Sequence, residues 1–137
     1  MPEHLASFTL PQHVEELRAE LAKAVEEQRQ FQDSKLPGFW ECLTPGYEDS
    51  AQKLALGIWK ERPTLWGLLR PTKPQEGRFM INRTRDTYLV PIVVLQGSSH
   101  VSADNKNWSS FEPGIAIFCT SNSFSCVRGD VVFLVVQ

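Results

Sequence analysis

The imidazoles and thiols of this sequence are His4, His13 and His100, and Cys42, Cys119 and Cys126. An imidazole works as a general base only when a second group orients it. The spacing signals no such partner and no Cys–His pair, so each histidine is expected to be satisfied or solvent-exposed. Three cysteines are an odd count without CxxC spacing, which points to free thiols. Cys119 and Cys126 could face each other across a loop, but each is expected as a buried, inert thiol. The stretch Met1 to Ser7 has neither a basic start nor an apolar run, so a cytoplasmic location is expected. The sequons Asn82-Arg83-Thr84 and Asn107-Trp108-Ser109 then carry no information.

A second group of candidates is cationic. Arg62, Arg70, Lys73, Arg78, Arg83 and Arg85 are interleaved with Trp66 and Phe79, a combination that could track single-stranded nucleic acid by pairing phosphates and stacking bases. The basic excess is small and no RNA-binding signature or glycine-rich phosphate loop is present, so the expectation is a solvated outer face and no nucleic-acid partner. Ser121, Ser123 and Ser125 could offer hydroxyls at a binding site; solvent-side strand positions are the simpler expectation. Arg128-Gly129-Asp130 is expected to be a turn before the last strand.

The elements that must position these groups begin with a helix. Val14, Leu17, Leu21, Ala24, Val25 and Phe31 share one face at helical spacing, which predicts a helix over about residues 10–33. Thr9 and Gln12 fit a capping box, and Pro37-Gly38 closes the segment. Its role is to cover a core or to pair with a partner. From Gln52, within residues 50–62, two templates compete: Ala51, Ala55, Ile58 and Trp59 suit a helix, while Leu54, Leu56 and Ile58 alternate as a strand would, and the strand is preferred, with Leu65 to Leu69 as its hairpin return. Beyond Pro71 the pattern is short strands: 78–83, 87–95, 99–103, 107–111, 115–119, 123–127 and 131–136. Asp104-Asn105 is a credible tight turn, and Pro91 inside a strand marks an edge or a bulge.

Composition fits one folded domain. The chain has 137 residues, 42% hydrophobic and 22% charged, and no window of about 20 apolar residues that could span a bilayer. The net charge of −2 is unevenly spread: residues 1–61 sum to −5 and residues 62–137 to +3. Neither value implies nucleic acid by itself.

From about Gly46 the order of elements resembles a small single-domain cupin. The features that carry the likeness are the glycine before a strand (Gly77-Arg78-Phe79), a long strand ending in Leu95-Gln96-Gly97, a turn, Pro113-Gly114, and a closing strand. The resemblance implies a mainly β, jelly-roll barrel over residues 38–137, preceded by a helical segment over 1–37. Placed on this chain, the family's two motif histidines fall near Thr84 and Asp86, its glutamate near Val90 and its last histidine near Ser123. Only one of these is a strong metal ligand, so no metal and no cofactor is expected. The resemblance nominates a ligand pocket lined by Thr84, Asp86, Tyr88, Val90 and Ser123, with Arg78 or Arg85 available to pair an anionic group. A one-residue error in register would turn every one of these side chains to the other face. The leading expectation is a non-catalytic binding or assembly module for a small polar or anionic ligand. It would form a homodimer, or dock a protein partner, through its N-terminal helix, away from any membrane. The alternatives are an enzyme on the same fold, a lyase, isomerase or oxygenase with an atypical site, and an accessory protein binding nucleic acid through residues 62–85.

Overall fold

The computed structural model describes residues 5–34, 36–58, 65–76, 78–82, 86–120 and 123–137. In chain order the elements are β1 (Leu5–Thr9), α1 (Gln12–Glu27), β2 (Phe31–Asp33), β3 (Phe39–Cys42), α2 (Tyr47–Ile58), β4 (Leu65–Pro71), β5 (Arg78–Asn82), β6 (Thr87–Ser102), β7 (Ser109–Ser110), β8 (Ile115–Cys119) and β9 (Ser123–Val136). The strands form one antiparallel sheet in the order β1-β8-β6-β9-β4-β3-β2, with β5 added beside β9 and β7 beside β6. Residues 1–37, expected as a helical segment, therefore also supply two strands to the sheet.

β6 and β9 are long because each runs through a glycine expected to interrupt it. Gly97 has φ +68° and Gly129 φ +125°, and the register between the two strands shifts between Gln96 and His100. The extra residues on β6 are a bulge, which bends a strand without ending it. Arg128-Gly129-Asp130 is thus a bend within β9, correcting the expected turn. Beyond the bend, Val101 of β6 and Val127 of β9 pack into the same apolar cluster as Leu89, Phe133 and Phe39 from the first limb. The sheet folds over this cluster, which becomes the barrel interior.

The outer face of the first limb is covered by helices. Val14, Leu21 and Val25 of α1 and Ala51, Leu54 and Ala55 of α2 pack with Leu68, Val90, Ile92 and Leu134 of the strands. The segment 52–58, expected as a strand, is helical because Ala51, Leu54 and Ala55 form one buried stripe at spacings of three and four, while Leu56, needed by the alternating pattern, is 50% exposed. Glu48 and Asp49 in the first turn complement the helix dipole. β4 is accordingly not the return of a hairpin: it lies between β3 and β9.

α1 is shorter than expected and stops at Glu27. The Gln28 carbonyl accepts from Thr44 Oγ1 at 3.2 Å and the Gln30 carbonyl from the Leu43 amide at 2.7 Å, so chain 42–44 draws the backbone into β2 and Phe31 with it. The expected capping box is absent. Pro11 is the N-cap and makes no side-chain cap bond; its carbonyl accepts from the amides of Val14 and Glu15. Pro91 sits in a central strand at a register shift, a bulge between Pro91 and Val93. The carbonyl of Ile92 inside this bulge accepts from Arg18 Nη1 at 2.9 Å, and Glu15 holds the same guanidinium in an ion pair. One side chain thereby satisfies a buried carbonyl and pins α1 to the sheet.

Candidate functional site

On the first limb of β6 the side chains alternate between helix layer and barrel interior, and partner residues across a ladder share a face. Leu89 lies opposite Ile117 and both belong to the interior cluster; Val90 lies opposite Leu134 and both belong to the helix-side cluster. Odd positions before the bulge therefore face inward. The first of them, Thr87, lies opposite Cys119 and is only 3% exposed. Gln137, following β9, donates from Nε2 to Thr87 Oγ1 at 3.2 Å. Ser125, from the second limb of β9, is 5% exposed and hydrogen-bonds the Cys119 sulfur. An amide, a thiol and two hydroxyls from β6, β8 and β9 thus form a polar patch at one end of the apolar interior.

Every member of the patch is neutral at ordinary pH. Burial pushes the Cys119 thiol up to about 12, against a weaker lowering by the Ser125 hydroxyl. A thiol so held is a weak nucleophile and a poor metal ligand until deprotonated. The folded-state value lies above that of the unfolded chain, so the stabilising contribution is full below pH 9 and is lost as pH rises from about 9 towards 12. Wild type is expected to lose up to roughly 2 kcal/mol between pH 9 and 10.5 that Cys119→Ala does not lose. Urea unfolding of both proteins across that range checks this, and parallel slopes would refute it.

The sequence-nominated residues are divided differently. Tyr88 and Val90 face the helix layer: Val90 is fully buried there, and the Tyr88 ring lies edge-on to Phe8 at 5.6 Å and tilted against Phe118 at 5.1 Å. Placing them inside the barrel was an error of one residue, since Thr87 and Leu89 hold those positions. Asp86 is half-buried immediately before β6 and has interaction partners of its own. Thr84 and Arg85 lie outside the described residues. Arg78 opens β5 opposite Val127, and Ser123 opens β9 opposite Asn82; their side chains lie outside the description. Sequence reasoning missed Thr87 and Gln137. It expected Ser125 on the solvent side, where the structure buries it.

Other charged groups are committed to the fold. Arg70, counted in the basic stretch, makes a two-pronged ion pair with Asp130 at 2.7 and 3.2 Å, and its guanidinium lies 4.8 Å from the Phe31 ring centre and 5.2 Å from that of Trp40. It is thus a clamp tying β2, β3, β4 and β9. Arg128 stacks on Trp108 at 4.1 Å. Asp104 accepts from the amides of Lys106 and Asn107, both at 2.8 Å. These bonds and those from the Asn107 and Ser102 side chains hold its carboxyl well below the usual carboxylate range. They close the expected turn, with Asn105 at φ +60°. His100 lies on the second limb between Ser110 and Arg128, and His13 packs beside Gly57 of α2. The three cysteines are buried and free. Among the described residues no group of His, Cys, Asp and Glu converges to hold a metal ion, and no helix is long and apolar enough to cross a membrane.

No protein-family model matches the chain, and no curated protein matches it in sequence. Solved structures do. A truncated viral collagen prolyl hydroxylase from Paramecium Bursaria Chlorella virus-1 superposes with a TM-score of 0.50 at 9% identity, over 98% of this chain and 88% of that one. A proposed oxygenase from Shewanella oneidensis superposes with a TM-score of 0.50 at 10% identity, over 97% of this chain and 80% of that one. Likeness at such low identity speaks for architecture alone. Both neighbours are cupin-like jelly rolls, and this mainly β chain, with its helix near the N-terminus, has that fold.

Proposed function

We propose that the chain is a non-catalytic binding module that takes a small polar ligand at the inward patch of Thr87, Cys119, Ser125 and Gln137. Asp86, half-buried immediately before β6, would stand at its rim. The observation that carries this reading is the chemistry of the patch. Two hydroxyls, an amide and a protonated thiol exchange hydrogen bonds with a neutral or weakly polar group, but supply no anionic ligand and no imidazole for a divalent ion. Small-molecule sites are mostly apolar concavities in which a few convergent polar groups fix the ligand.

A second reading, an oxygenase-type enzyme on the same fold, is favoured by the two structural neighbours, a prolyl hydroxylase and a proposed oxygenase. One experiment separates the two. Purified protein is analysed for metal, then screened by thermal shift against small hydroxylated and amide compounds, alongside Thr87→Val and Ser125→Ala. Under the binding reading the protein carries no stoichiometric metal, and a compound that raises the melting temperature of wild type loses its effect in both variants. Stoichiometric iron would replace the binding reading with the enzyme. Shifts of equal size in wild type and variants would remove the patch from it.

A further inference from the structure

The main strand order ends at β1 and β2, while β5 and β7 each hang on one strand beside it, and the two ends differ in how they are guarded. β2 has three residues and carries Asp33. β1 has five, Leu-Ala-Ser-Phe-Thr, with no charge and no proline, and among the described strands it pairs with β8 alone. Short length and charge are the usual defences of an edge against pairing with another chain, and β1 has neither charge nor proline to break the pairing.

The hydrogen-bond parity of β1 follows from its neighbour. The Leu10 amide donates to the Gly114 carbonyl at 3.0 Å, one step beyond the Thr9–Ile115 pair of the β1–β8 register. Leu10, Phe8 and Ala6 therefore direct their backbone groups at β8, and Thr9, Ser7 and Leu5 direct theirs away from the sheet. That outward set is symmetric about Ser7. An antiparallel second copy of β1 sets Leu5 against Thr9, Ser7 against Ser7 and Thr9 against Leu5, and every outward amide meets an outward carbonyl. The same register puts Ala6 against Phe8, prolonging the helix-side apolar row, and brings no like charges together.

We propose that β1 is a homodimerisation edge: two copies pair antiparallel through Leu5 to Thr9, about a two-fold axis at Ser7, and the two sheets become one. The partner is a second copy of this chain, joined through its first strand instead of its helix.

Ser7→Pro tests this directly, because the amide it removes points away from β8 and leaves the internal ladder whole. It deletes both bonds of the central pair, which at about tenfold each weakens association roughly 100-fold. Ser7→Lys leaves the backbone unchanged and sets two ammonium groups side by side at the axis. Sedimentation equilibrium over a wide concentration range is expected to give twice the 15.6 kDa chain mass for wild type and a shift to monomer in both variants, with unchanged circular dichroism. In wild type the Ser7 amide should exchange more slowly at high protein concentration than at low. A wild type that stays monomeric, a dimer that survives both variants, or Ser7 exchange independent of concentration would each overturn the proposal.

Discussion

Phe133→Ala is expected to destabilise the protein by about 3–5 kcal/mol, a large share of the roughly 5–15 kcal/mol that holds a domain of this size. Phe133 is fully buried. Its ring meets Phe39 edge-on at 5.8 Å and Phe111 edge-on at 5.6 Å, and its backbone lies between Leu69 of β4 and Pro91 of β6. Phe39 comes from β3 and Phe111 from the segment after β7, so this one ring fills the space where the two limbs of the sheet close on each other. Deleting it leaves a cavity whose walls are strands already tied at both edges, with little freedom to collapse. Leu56→Ala is the contrast: a leucine half exposed on α2, whose loss should cost well under about 1 kcal/mol. Urea midpoints at unchanged m-value measure both. A loss below about 1 kcal/mol for Phe133→Ala would mean that the limbs do not close over a shared core.

The jelly roll was legible because strand length, turn residues and apolar alternation agree along the last third of the chain. Ile115–Cys119 is bounded as expected, since Pro113-Gly114 fixes its start. Where local and tertiary signals diverge, legibility ends. Residues 52–58 carry both periods, and only the presence of α1 and β4 beside Ala51, Leu54 and Ala55 decides between them. Phe31 continues the helical stripe, yet its ring serves Arg70 from β2, because the chain leaving α1 is captured by Thr44 and Leu43. The candidate site suffered most. A strand has period two, so placing Tyr88 and Val90 instead of Thr87 and Leu89 in the interior exchanged inward residues for helix-facing ones. The bulge at Pro91 compounds this: Ile92 and Val93 both lie on the helix side, and alternation read across them carries the wrong phase. Thr87 and Gln137 meet through the closure of β6 on β9, a proximity that no spacing along the chain expresses.

Closure itself depends on two glycines with different reasons for being glycine, and substituting each by alanine separates those reasons. At Gly97, φ is +68° and an added methyl would meet nothing within 4 Å, so Gly97→Ala should cost only the left-handed backbone penalty, about 1 kcal/mol. At Gly129, φ is +125°, and a Cβ would stand 2.7 Å from Ser99 Cα and Cβ and 2.8 Å from the Ser98 carbonyl oxygen. Two of these three contacts are backbone, within a bulge already committed: the Phe111 amide donates to the Ser99 carbonyl at 3.0 Å, and Ser99 Oγ donates to the Phe111 carbonyl. The Gly129 amide is itself held by the Pro74 carbonyl at 2.9 Å. Neither strand can retreat without breaking one of these bonds, so overpacking adds to the backbone strain and Gly129→Ala should cost about 3–5 kcal/mol. The consequence reaches the polar patch, because the limb of β9 before Gly129 is the one that delivers Ser125 to Cys119. In any folded fraction of Gly129→Ala the Cys119 thiol should react with a disulfide reagent at neutral pH faster than in wild type, while Gly97→Ala leaves it as unreactive as before. Equal destabilisation by the two substitutions, or a Cys119 thiol equally protected in both, would show that the bend at Gly129 is not what holds the second limb over the interior.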